Sequence, residues 1–132
     1  MPSKLRIFKG FWTESDVLNN PDWLFIFGDN NVQLGCGGQA VIRNCSNAMG
    51  IPTKKYPSNH RKSFYSDNEI SDNRERIANA IELIKEASTS YKYVIFPRDG
   101  FGTGLARLEE VAPKTNEYLK GEVADLKRFL RE

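Results

Sequence analysis

Apolar residues fall along the chain in two unbroken runs and several spaced stripes, and the two arrangements predict different elements. Trp23-Leu24-Phe25-Ile26-Phe27 and Tyr93-Val94-Ile95-Phe96-Pro97 are short, continuous and rich in aromatic and β-branched residues. That is the pattern of strands covered on both faces in a largely parallel or mixed sheet. Leu5-Arg6-Ile7-Phe8 alternates like a third, shorter strand. Ile51-Pro52-Thr53 reads as a brief extended segment that its proline confines to an edge or an end.

Helical spacing is plainest from 72 to 87, where Ile77, Ala80, Ile81, Ile84 and Ala87 keep one stripe apolar and Asp72 and Glu75 resemble a capping box. Thr13 ahead of Glu14 and Asp16 predicts an N-cap and one or two helical turns, which Pro21 closes. Residues 39–43 predict a helix starting immediately behind a glycine-rich loop and broken at Asn47-Ala48-Met49-Gly50. Leu108 to Ala112 predicts a short turn before Pro113, and Leu119, Val123, Leu126 and Leu130 a last helix interrupted at Gly121. Strands alternating with helices define an α/β class: one domain over 1–132, with a central mixed, mostly parallel sheet flanked by helices. Neither an internal repeat nor a linker breaks the chain.

Composition narrows the partners. Of 132 residues, 19 are Lys or Arg and 17 Asp or Glu, a formal net charge of +2 that lacks the electrostatic footprint of a dedicated nucleic-acid binder. The densest local excess, Lys54, Lys55, His60, Arg61 and Lys62, lies in a segment with Pro57, Ser58 and Asn59 that reads as a solvated loop, though Lys54 or Arg61 is placed to meet an anionic ligand. Two cysteines make neither a disulfide framework nor a zinc site, so no metal and no cofactor is expected, and Cys36 reads as small apolar filler. No stretch approaches the about 18 apolar residues of a membrane span, and no apolar leader opens the chain. The expectation is a cytoplasmic protein with no membrane partner.

Both apolar strands run into glycine-rich loops, Gly28 to Gln39 and Arg98 to Leu105. A strand that ends in glycines and hands over to a helix leaves N–H groups beside a positive dipole, where phosphate binds. Gly28, Gly35, Gly37 and Gly38 in the first loop and Gly100, Gly102 and Gly104 in the second allow close backbone approach. Neither loop has the Gly-Lys-Ser/Thr of a P-loop or the spacing of a dinucleotide fingerprint, so neither an ATPase nor a dehydrogenase is predicted. Asp29, Asn30 and Gln39 in the first loop, and Arg98, Asp99 and Thr103 in the second, are polar groups able to read a ribose or a base. Asp29, Asn30 and Asp99 are the candidates for holding a water. His60 reads as a surface histidine, and Phe64 and Tyr65 as either a stacking platform or core.

Val94-Ile95-Phe96-Pro97 followed by Gly102-Thr103-Gly104-Leu105 resembles the late strand and diphosphate loop of macro domains, which bind ADP-ribose. Asp29-Asn30-Asn31, Gly35-Cys36-Gly37-Gly38 and the segment from Gln39 are similar to the family's asparagine segment and following glycine loop. Phe27-Gly28-Asp29-Asn30, Gly37-Gly38-Gln39-Ala40 and Gly50-Ile51-Pro52-Thr53-Lys54 more closely resemble small macro-like proteins of phages and bacteria. Lys9-Gly10-Phe11-Trp12 lacks the aspartate that macro domains carry early to read adenine.

The resemblance implies a macro-like fold, a small-molecule ADP-ribose-type nucleotide as ligand, and Thr53, Lys54 and Leu105 as further contacts. It also implies a setting: a phage protein in the host cytoplasm that sequesters an immune signalling nucleotide. Binding is the leading expectation, because no convincing acid–base set accompanies the loops. The alternatives are an ADP-ribosyl hydrolase or phosphatase, and a protein or RNA interaction module using the basic loop 54–62. Gly37→Val and Gly102→Val are both expected to abolish nucleotide binding while leaving the fold largely intact.

Overall fold

Four parallel strands make one sheet in the order β1-β4-β2-β3, with β1 at Leu5–Ile7, β2 at Trp23–Asn30, β3 at Ala48–Lys54 and β4 at Tyr93–Phe96. The computed structural model describes residues 3–131, the side chain of Leu105 excepted. Four α-helices accompany the sheet among these residues: α1 (Glu14–Leu18), α2 (Ile70–Ser88), α3 (Leu108–Val111) and α4 (Pro113–Arg131). The α/β class holds, and the sheet is wholly parallel rather than mixed.

Period-two alternation divides the core. Leu24, Ile26, Val94 and Phe96 point to one face, where they pack with Ile77, Ile81 and Ile84 of α2 and Leu119, Leu126 and Leu130 of α4. Phe25, Phe27 and Ile95 point to the other, against Trp12, Val17, Ile42 and Cys45. Because β2 and β4 are buried on both faces, they read as unbroken apolar runs. β3 is an edge strand, where Pro52 costs no ladder bond that the sheet requires.

Thr13 caps α1 as predicted, in a reciprocal capping box with Asp16, an arrangement worth about 1 kcal/mol. Elsewhere the boundaries differ from expectation for identifiable reasons. α2 begins at Ile70 behind Glu69, which makes no side-chain cap; Asp72 lies inside the first turn and pairs with Arg76 at 3.0 Å instead of capping. Pro113 opens α4 rather than ending its predecessor, since the first helical position needs no N–H. The carboxylate of Asp67 takes over that end, accepting from the backbone N–H groups of Lys114 at 3.0 Å and Thr115 at 2.9 Å. α4 runs unbroken through Gly121.

Residues 47–50 do not merely break a helix. Ala48 already starts β3, while the buried Asn47 directs its amide nitrogen at the carbonyls of Val17, Asn20 and Trp23, tying α1 to the sheet. The predicted helix at 39–43 is a short 3₁₀ helix, Gly38–Ile42.

Candidate ligand-binding site

Since β2, β3 and β4 are parallel, their carboxyl ends at Asn30, Lys54 and Phe96 lie on one side of the sheet. From β2 the chain leaves toward the face of Ile42; from the adjacent β4 it leaves toward the face of α3 and α4. Neighbouring strands whose continuations depart to opposite faces open a crevice between them. Here that crevice is a cavity of about 430 Å³.

Most residues singled out from the sequence meet in it. Gly28, Asp29, Asn30, Gly35, Gly37, Gly38 and Gln39 form one wall; Asp99, Gly102, Thr103 and Gly104 form the other; Thr53 and Lys54 close the end of β3. Arg98 and Gly100 line instead a neighbouring cavity of about 830 Å³ between the second loop and α4. The side chain of Leu105 lies outside the described residues; its backbone belongs to a 3₁₀ turn, Gly104–Ala106.

The polar side chains of the first loop hold the loop itself. Asn30, buried, donates from Nδ2 to the Leu34 carbonyl at 2.7 Å and accepts from the N–H groups of Val32 and Leu34 through Oδ1. Oδ1 of Asp29 accepts from the Asn30 N–H at 2.7 Å and from the Arg43 guanidinium at 2.5 Å. Arg43 also donates to the carbonyls of Gly35, at 2.7 Å, and Leu34. It thus fastens the tip of the loop to its base.

Gln39 joins the two walls. Its Oε1 accepts from the Gly28 N–H at 2.7 Å, and its Nε2 donates to the Gly100 carbonyl at 2.9 Å. Both ends of its amide are therefore engaged within the protein, and its backbone carbonyl accepts from the Trp12 indole at 2.9 Å.

The second loop is shaped by backbone torsions. Gly100 and Gly102 stand at φ +77 and Gly104 at φ +49, conformations that a Cβ opposes. Asp99 is half-exposed beside Arg98, which donates to its carboxylate at 3.2 Å and 3.3 Å, and its carbonyl accepts from the Thr103 hydroxyl.

What the loops offer the cleft is backbone. Among the described residues, the N–H groups from Gly35 through Gln39 donate to no protein acceptor, and neither do those from Phe101 through Gly104. Two runs of free donors on opposite walls of a cleft form an anion-binding arrangement. The macrodipole contributes little, because the first loop leads only into the 3₁₀ helix.

Several expectations around the cleft change. Cys36, expected as filler, is exposed. The basic run is thinner than its sequence: Lys54 ends β3 and is buried, Lys55 pairs with Glu69, and His60, Arg61 and Lys62 remain exposed. Tyr65 is core, its hydroxyl donating to Asn31, whereas Phe64 stays half-buried. Gly102 is a packing position as well as a wall, since an added Cβ there would meet Leu108 at 3.0 Å. Valine at Gly102 therefore disturbs the fold. At Gly37, with extended torsions and nothing within 4 Å, it does not.

Arg43 and Phe11 escaped the sequence reading. Arg43 is the last residue of the predicted helix, with no motif to mark it. Phe11 stands between Gly10 and Trp12 in no pattern that marks a ligand contact; it is 83% exposed, yet it lines the cleft with the Arg98 guanidinium 4.9 Å from its ring centroid. Among the described residues no cluster of His, Cys, Asp and Glu is suited to a metal, and no helix is long and apolar enough to cross a membrane.

Fold and cleft together define a parallel α/β domain with a switch-point crevice walled by two glycine-rich loops. The chain belongs to the DUF7831 family, a family of unknown function, whose model matches residues 7–122. No protein of curated description and no solved structure matches it.

Proposed function

We propose that the cleft binds a diphosphate-bearing nucleotide of the ADP-ribose type, its phosphates held between the two glycine loops. The observation that carries this reading is the pair of unpaired N–H runs, 35–39 and 101–104, on residues that, Cys36 and Phe101 apart, line one cavity, with the two loops tied through Gln39. The cavity volume suits a small ligand. The exposed Phe11 ring at the lip, backed by Arg98, offers a surface on which a base stacks. The macro-like motifs support ADP-ribose over other diphosphates, and they alone support a phage protein that sequesters an immune nucleotide.

Binding is favoured over hydrolysis because Asp29, Asn30 and Gln39 spend hydrogen-bonding capacity on the protein. Titration calorimetry with a panel of NAD-derived nucleotides tests the reading. Saturable binding is expected, lost in Gly37→Val while the melting temperature stays unchanged. Absence of heat with every nucleotide contradicts the proposal, and turnover of a bound nucleotide replaces it with the hydrolytic one.

A further inference from the structure

Lys54 is the least explained charge in the molecule. It is 6% exposed and lines the cleft, yet among the described residues no carboxylate lies within ion-pair distance of its ammonium, whereas its neighbour Lys55 is paired with Glu69. Burying an ammonium without a counter-charge is costly. What accompanies it is a second cation. Lys54 Nζ stands 4.8 Å from the Phe64 ring centroid and the Arg107 guanidinium carbon 4.7 Å from the same centroid. Phe64 is fixed there by an antiparallel bridge to Lys54. Burial, and after it the charge of Arg107, push the Lys54 ammonium below its ordinary value. An aromatic face attracts each cation but cancels neither.

Arg107 is itself held at a cost. It adopts the left-handed conformation, φ 45 and ψ 40, which an L-residue resists, at the junction of the 3₁₀ turn and α3. Its carboxylate neighbour, Glu110, is 3.9 Å away and exposed. Arg107, half-exposed, lines the neighbouring cavity between the second loop and α4, so a strained arginine and a buried, unpaired lysine meet at Phe64 in an incomplete electrostatic arrangement that an anion completes.

We infer that Lys54 and Arg107, set around Phe64, form a second anion subsite, which takes a phosphate monoester or carboxylate on the part of the ligand beyond the glycine loops. This deepens the nucleotide reading and rests on it, adding that the ligand carries a second anionic group. The subsite relies on side-chain cations, in contrast to the backbone donors of the loops.

Methyl phosphate and acetate, titrated separately into the full chain, test it. The readouts are the lysine side-chain carbon signals and the backbone amide signals. The preferred anion is expected to move the Lys54 signal, raise its apparent pKa, and bind at least ten-fold more weakly to Lys54→Met and to Arg107→Gln. Methyl phosphate acting alone assigns a phosphate, and acetate acting alone a carboxylate. Arg107→Gly relieves the backbone, so it is expected to raise the melting temperature while losing the same ten-fold in affinity. Amides of 35–39 and 101–104 that shift with Lys54 unmoved would overturn the subsite and leave the glycine-loop reading standing. No shift at either place would overturn both.

Discussion

The loop that follows β2 and the loop that follows β4 wall the same cleft and both turn on left-handed glycines, Gly35 and Gly38 in the first, but they are held by different means. Asn30, Asp29 and Arg43 fasten the first through side chains that bond to its backbone, and at Gly37 it leaves open space where a side chain could go. The second relies on Gly100, Gly102 and Gly104 in left-handed torsions, with Gly102 pressed against Leu108 of α3. Glycine thus has two uses in one site. At Gly37 it keeps space clear for a ligand; at Gly35 and Gly38, as at Gly100, Gly102 and Gly104, it permits a left-handed turn, and at Gly102 the packing beneath it. Gln39 makes the two loops one structure.

The difference predicts a graded series of effects on stability, readable in denaturant melts. Gly102→Val should be the most damaging. A left-handed torsion strained by a Cβ and a clash with Leu108 together cost about 3 kcal/mol or more. Next comes Arg43→Ala, which removes the counter-charge of Asp29 and the partner of the Gly35 carbonyl, while the Leu34 carbonyl keeps Asn30. The pair is largely buried, with side chains 13% and 8% exposed, so about 3 kcal/mol is expected and proteolysis should open the chain within 31–37. Gln39→Ala leaves the Gly28 N–H and the Gly100 carbonyl unpaired, for about 2 kcal/mol, and amide exchange should quicken in both loops together. Exchange that quickens in one loop alone would mean that Gln39 does not couple them. Gly37→Val should be nearly silent, within about 0.5 kcal/mol of the parent. A large loss there would erase the distinction between the loops.

How much of this was legible in the sequence follows the same division. Strands β2 and β4 announced themselves because burial on both faces leaves no polar position in the run, and α2 did so through Ile77, Ile81 and Ile84. The glycines marked both walls because left-handed torsions and close approach are nearly theirs alone. Side chains that act at a distance left no such trace. Asp67 caps α4 from 47 residues away in sequence, and Gln39 reaches across 61 to Gly100. Neither Arg43 nor Arg107 sits in a pattern that separates a structural or ligand-facing arginine from a solvated one. Asp29, Asn30 and Gln39 looked like groups that read a ligand, because a polar side chain in a glycine loop has the same sequence whether it faces a ligand or its own backbone. Three-dimensional partners alone distinguish these.

On the proposed reading, both loops grip one ligand. Backbone amide spectra recorded while ADP-ribose is titrated into the full chain test it most directly. Signals from 35–39 and 101–104 are predicted to shift together along one saturation curve, with the same midpoint in each loop. Shifts confined to one loop, or two curves with different midpoints, would contradict it.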